Sequence, residues 1–175
     1  MTAVRQPTAA GLALPPLEAD GFVELYSLHY GRLVSSLRLA GADPQRAQDL
    51  AQEAFARTYA RWRKVRGGTS PAGYVYRTAY RLLRKRGGLP ETPLDEYDSA
   101  IPGPEGEAVT EASLHAALEA MPPRRRACAA LCLYLGFDTD EAAAMLGISA
   151  ATVRVQLHRA RKALHIALGE DPPPG

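Results

Sequence analysis

The feature that most constrains this chain is its punctuation. Asp43-Pro44 and Ser70-Pro71 each set a capping side chain directly before a proline. Proline suits the first position of a helix, because its ring presets φ and its missing N–H would find no intrahelical partner there. Gly41, Gly67-Gly68, Gly87-Gly88, Gly136 and Gly147 supply the matching stops. Between these marks apolar residues recur at helical spacing, and no segment sustains the alternation of a strand. Short helices packed on one another satisfy such a pattern, so the expected fold class is all-α.

The marks divide the chain into two helical domains. Asp20 is placed to cap a helix whose Phe22, Leu25, Tyr26, His29, Leu33 and Leu37 share a stripe. Asp43 opens a second, carrying Ala47, Leu50, Ala51, Ala54, Phe55, Thr58, Tyr59 and Trp62 inward, and expected to run to Gly67-Gly68. Ser70 opens a third, with Val75, Thr78, Ala79 and Leu82 toward the core. Residues 89–111 are rich in proline, glycine and acids, and read as a flexible linker. Helices are expected again over Ala112–Ala120, over Arg124–Leu135, from a cap at Asp138 or Thr139 to Leu146, and from a cap at Ser149. The organisation is thus a flexible N-terminus (1–19), a three-helix domain (20–88), an acidic linker (89–111), a second helical domain (112–168) and a tail (169–175).

The net charge of +2 over 175 residues conceals a segregation. Residues 21–90 carry thirteen Lys/Arg against four acids, residues 91–111 seven acids and no base, and residues 112–168 seven bases against four acids. Two basic blocks on an acidic tether suit two polyanion-facing modules. There is no run of about 18 apolar residues, so no membrane insertion is expected. A weak N-terminus and only two cysteines point to a reducing cytoplasm. Cys128 and Cys132 stand four residues apart with no His or Cys cluster to complete a metal site, and read as structural. The four histidines are scattered, and no nucleophile–base pattern or phosphate-cradling glycine loop stands out. No catalytic activity, metal or cofactor is expected.

Two surfaces carry the functional signal. In I148-S-A-A-T-V-R-V-Q-L-H-R-A-R-K-A-L164, Val153, Leu157, Ala160 and Leu164 form a narrow stripe, and Ala151, Arg154, Val155, His158, Arg159 and Lys162 fall on the other side. A short helix, the Gly147 turn and this capped cationic helix make a helix-turn-helix, whose second helix enters the DNA major groove. Arginine there can pair with guanine through two hydrogen bonds, worth about 1–3 kcal/mol of discrimination. The helix after Ser70-Pro71 places Tyr74, Arg77, Tyr80, Arg81 and Arg84 opposite its core stripe, with Arg61 and Lys64 just upstream. Aromatic rings among cations suit the bases and phosphates of a single strand. Tyr76 is the tyrosine of this helix assigned to packing beneath the linker or the second domain.

With both halves read, the chain resembles the extracytoplasmic-function sigma factors of bacteria. The resemblance rests on D49-L-A-Q-E-A-F-A-R-T-Y-A-R-W62, similar to the region 2 polymerase-binding helix; on L114-H-A-A-L-E-A-M-P-P-R-R-R126, similar to the start of region 4; and on T152-V-R-V-Q-L-H-R-A-R-K-A-L164, similar to its recognition helix. It implies that Asp49, Gln52, Glu53 and Phe55 dock core RNA polymerase. It implies that Arg61, Lys64, Tyr74, Arg77, Tyr80, Arg81 and Arg84 hold the opened −10 element, and that Ala151, Thr152, Arg154, Val155, His158 and Arg159 read the −35 element. The implied partners are polymerase core and promoter DNA, with an anti-sigma factor as a further candidate partner; the free form is expected to pack its two domains together. Tyr74, Arg81 and Ala151 stand where the family commonly has Trp, Asn and Gly. Two alternatives stay open on sequence alone: a stand-alone helix-turn-helix regulator, and a degenerate sigma factor that binds polymerase without initiating.

Overall fold

Asp43 and Ser70 cap as their positions require. The computed structural model describes residues 21–89 and 111–169; the expected Asp20 cap, N-terminal segment, most of the expected linker and most of the tail (1–20, 90–110 and 170–175) lie outside the described residues. The first half contains α1 (Phe22–Leu39), α2 (Pro44–Tyr59), the single turn α3 (Trp62–Val65) and α4 (Pro71–Lys85). The second half contains α5 (Glu111–Ala120), α6 (Pro123–Ala129) continued by a π-helical turn (Ala130–Tyr134), α7 (Thr139–Leu146) and α8 (Ala150–Ala167). The Asp43 carboxylate accepts from the Arg46 N–H at 2.9 Å, and the Ser70 hydroxyl from the Gly73 N–H at 3.0 Å. Helix α1 begins without a side-chain cap, at Gly21 in the left-handed region with φ 84°.

Helix α2 stops earlier than its periodicity predicts. Thr58 returns its hydroxyl to the Ala54 carbonyl at 2.8 Å, a local bond that competes with regular helix geometry. The chain bends at Ala60-Arg61, and α3 turns Trp62 inward. The bend gathers an aromatic cluster: Phe22 meets Trp62 with ring centroids 5.3 Å apart and Tyr59 at 4.9 Å, and Tyr26 meets Phe55 at 4.8 Å, all edge-on. Such pairs each contribute about 0.5–1.5 kcal/mol beyond the area they bury.

The π-helical turn replaces the last stretch of the α-helix expected up to Leu135. The Leu135 N–H reaches the Ala130 carbonyl at 3.1 Å and the Phe137 N–H the Leu131 carbonyl at 3.0 Å. Leu131 stays buried, while Leu133 and Tyr134 are turned to the surface.

The two halves share one continuous core. Leu33 and Leu37 of α1, Val75, Tyr76 and Leu83 of α4, Cys128 and Leu131, and Met145 and Leu146 of α7 belong to a single buried cluster. Tyr76 packs edge-on against Phe137 of the second half at 5.3 Å, as the sequence reading of that tyrosine anticipates. Arg84 of α4 donates to the Leu146 carbonyl at 3.0 Å, setting a cation against the negative end of α7. Arg126 lies across Gly41, where an added Cβ would stand 2.8 Å from its guanidinium.

His29 adds a pH-sensitive contact to this framework. Its Nδ1 lies 3.3 Å from the Tyr76 hydroxyl, and burial first, then the nearby Arg32 charge, lower its pKa. The unfolded chain therefore takes up a proton that the folded chain refuses. The stability contributed by His29 is complete above its unfolded pKa of about 6.5 and is lost as pH falls through the window beneath it. The thermal midpoint is expected to fall between pH 7 and pH 5.5, and to fall less in His29→Gln. An equal fall in both proteins would remove His29 from the account.

Candidate nucleic-acid interface

The helix-turn-helix is built by three local devices. Asp138 accepts from the N–H groups of Asp140 at 2.9 Å and Glu141 at 2.8 Å, and the Glu141 carboxylate accepts from the Asp138 N–H at 3.0 Å, a reciprocal capping box that fixes the start of α7. Gly147 ends α7 with φ 69°, a left-handed conformation glycine adopts at little cost. The Ser149 hydroxyl accepts from the Thr152 N–H at 3.1 Å and opens α8. The rotation of α8 follows from what it buries: Val153, Gln156, Leu157, Ala160, Ala163 and Ala167. Ala151, Arg154, Val155 and His158 consequently face outward, with Thr152 and Arg159 half-buried beside them.

Sequence reasoning missed Gln156, which lies among cationic neighbours and breaks the apolar stripe. It is buried and accepts from Arg125 Nε at 3.3 Å, and Arg125 is itself 4% exposed. This pair ties α6 to α8 and sets the angle at which the recognition face is presented. The available signal was the run P122-P-R-R-R126, whose three consecutive arginines spread over about 200° of a helix that must bury one face.

On the first half the structure keeps part of the expected cationic face. Arg61, Lys64, Arg77 and Arg81 are exposed, and Tyr74 is half-buried with its hydroxyl accepting from Arg61 Nη1 at 3.2 Å. Tyr80 is a correction: it is fully buried and donates to the Ser36 carbonyl at 3.2 Å, with burial, the largest cause, raising its pKa. The cause is that α4 is covered by three layers, by α2, by α1 where Tyr80 meets Ser36, and by the second half, so the side opposite the predicted stripe is not free. Arg84 is half-buried for the same reason. Burial likewise pushes the Tyr76 phenol up to about 12. Between α3, α4 and α7 remains a cleft of about 1130 Å³, lined by Arg61, Trp62, Tyr74 and Arg77 on one side and Glu141 and Met145 on the other.

The expected docking face of α2 is also corrected at one position. Asp49 and Gln52 are exposed, but Phe55 is 2% exposed and packs against Phe22 and Tyr26 in the core. Glu53 is half-buried and held by two arginines, Arg57 at 2.6 Å and Arg86 at the end of α4. Partial desolvation raises its pKa, but hydrogen bonds and charge from Arg86 and Arg57 outweigh that and hold the carboxyl below its ordinary value. Arg46 donates to the Arg86 carbonyl at 2.6 Å, so the same arginine joins α2 to α4 twice.

Cys128 is buried and its thiol is pushed up to about 12, by burial first and by neighbouring Cys132 second; burial also raises the Cys132 thiol. Burial thus disfavours the thiolate of both, and Cys128 packs as a small apolar residue in the core. Among the described residues no three His, Cys, Asp or Glu side chains gather as a metal site, and no helix is long and apolar enough to cross a membrane.

Comparison with known proteins agrees with this geometry. Residues 25–87 match the family described as Sigma-70 region 2, and residues 111–164 match Sigma-70, region 4. The chain is 33% identical to the ECF RNA polymerase sigma factor SigE of Mycolicibacterium smegmatis, over 93% of its own length and 65% of that protein's. It is also 33% identical to the RNA polymerase sigma-E factor of Streptomyces coelicolor, over 79% of its own length and 81% of the relative's. The solved structure of Bartonella quintana sigma factor RpoE, in complex with the anti-sigma factor NepR, superposes with a TM-score of 0.62 at 21% identity, covering 86% of this chain and 98% of that one. At that identity the likeness speaks for the fold.

Proposed function

The chain belongs to the sigma-70 family, in its extracytoplasmic-function branch, and from that premise we propose that it is a dissociable promoter-specificity subunit of bacterial RNA polymerase, acting in the cytoplasm. The observation that carries this reading is the pairing, in one chain, of two outward cationic surfaces: Arg154 and His158 on a capped recognition helix, and Arg61, Lys64, Arg77 and Arg81 beside Tyr74 on the first half. Helix α8 would read the duplex −35 element, with Ala151, Thr152, Val155 and Arg159 completing the face. The α3–α4 surface would hold the separated −10 strand, where phosphates meet the arginines and a base stacks on Tyr74. Asp49 and Gln52, with Glu53 behind them, would dock the polymerase, without Phe55. An anti-sigma factor is a further proposed partner, as NepR is for the Bartonella protein. The chain itself would do no bond chemistry; binding free energy opens the duplex.

Run-off transcription with core polymerase on genomic fragments tests the reading: transcripts are expected to begin at discrete sites only when the chain is added. Promoter affinity should drop steeply as salt rises, because phosphate contacts release counterions. Arg154→Ala is expected to lower selectivity at the −35 element about tenfold or more, as loss of one bidentate base contact requires, while co-elution with polymerase is unchanged. Absence of any discrete start site would overturn the proposal.

A further inference from the structure

We propose that Val155 reads the 5-methyl group of a thymine in the −35 element, which makes it the residue that sets thymine preference at one position of the site. The inference rests on the groove assignment of α8 given above. Val155 is 44% exposed although it sits on a helix that has an apolar face to bury. The buried residues Val153, Gln156 and Leu157 on either side fix the rotation of α8, so Val155 cannot turn inward. It lies at the centre of the outward face: Ala151 is one turn before it, Arg154 beside it and His158 three residues on, all exposed. Ala151 and Val155 thus form a short apolar strip between cations.

In the major groove, thymine alone presents an apolar group; the other base edges there present donors and acceptors. Valine can form no hydrogen bond with those. Opposite cytosine N4 or guanine O6 it would strip water from a polar atom and return nothing, which is unfavourable. Opposite thymine it buries a methyl against methyls. Its branched side chain also holds one preferred rotamer in a helix, so little freedom is lost on contact. Attraction to one base and exclusion of the others therefore come from the same side chain.

The test uses polymerase core loaded with the full chain. A −35 sequence is first selected from a randomised duplex library, and each thymine in it is then replaced singly by deoxyuridine, which removes only the methyl. Natural holoenzyme is expected to lose about three- to fivefold in affinity at one such position, the size of one buried methyl group. Val155→Ala should show no loss there, and Val155→Ile should keep it. Since Val155 is exposed, both variants should fold, which circular dichroism checks. If every deoxyuridine is tolerated, or if Val155→Ala keeps the full penalty, the inference is overturned while the groove assignment stands. If the holoenzyme selects no −35 sequence, the groove assignment itself has failed and this inference falls with it.

Discussion

Phe55→Ala is expected to destabilise the protein by about 3–5 kcal/mol, the range for emptying a buried phenylalanine site. The side chain is 2% exposed, with the Tyr26 ring at 4.8 Å, Phe22 at 6.2 Å and Tyr30 at 6.1 Å from it. These three rings all stand on α1, and one helix cannot move far enough to close the space left behind, so a cavity term adds to the lost burial. Denaturant unfolding measures this directly, and binding to polymerase should weaken only in proportion to the unfolded fraction. A variant of natural stability that fails to bind polymerase would return Phe55 to a docking surface.

Gly147→Ala is expected to cost on the order of 3 kcal/mol, from two sources. At φ 69° a β-carbon meets the following carbonyl, a strain of about 1–2 kcal/mol. That carbon would also stand 1.5 Å from Arg84 Nη1, so the guanidinium must leave the Leu146 carbonyl. A hydrogen bond from a charged donor contributes about 1.5–3 kcal/mol. A double-mutant cycle separates the two: in an Arg84→Ala background the cost of Gly147→Ala should shrink to the backbone part alone. Equal costs in both backgrounds would show that Arg84 does not hold α7 in solution.

The two cases show what was legible in the sequence. Caps at Asp43, Ser70 and Ser149 and the stop at Gly147 are local, decided by a side chain and the next turn of backbone, and were readable; the cap of α7 was narrowed to Asp138 or Thr139, and it is Asp138. So was the outward face of α8, because every helix packed against it lies on the side of its apolar stripe. Phe55 fell on the apolar stripe of α2 by spacing and on a docking face by family resemblance, and spacing described its burial correctly. Tyr80 was not legible in that way. Periodicity assigns a helix one inside and one outside, whereas α4 is wedged between layers that come from distant parts of the chain, as the Tyr80–Ser36 and Arg84–Leu146 bonds illustrate. Gln156 and Arg125 escaped for a related reason: a buried polar pair reads as two surface residues until the partner is known.

If Arg84 also serves the −10 strand, as the family resemblance implies, its bond to Leu146 gives this guanidinium two rival claimants. While it completes the last turn of α7, it would be unavailable to a phosphate of an opened strand; a phosphate that captured it would free the end of α7 and loosen the hold of one half on the other. By linkage, whatever separates the halves raises affinity for the strand, and the strand favours separation by the same factor. If the separated form is a fraction f of free molecules, measured affinity is reduced by that fraction, so each tenfold scarcity subtracts about 1.4 kcal/mol from binding. Together with the core the halves share, this bond would make the protein a poor ligand for an opened strand until a larger assembly has pulled its halves apart.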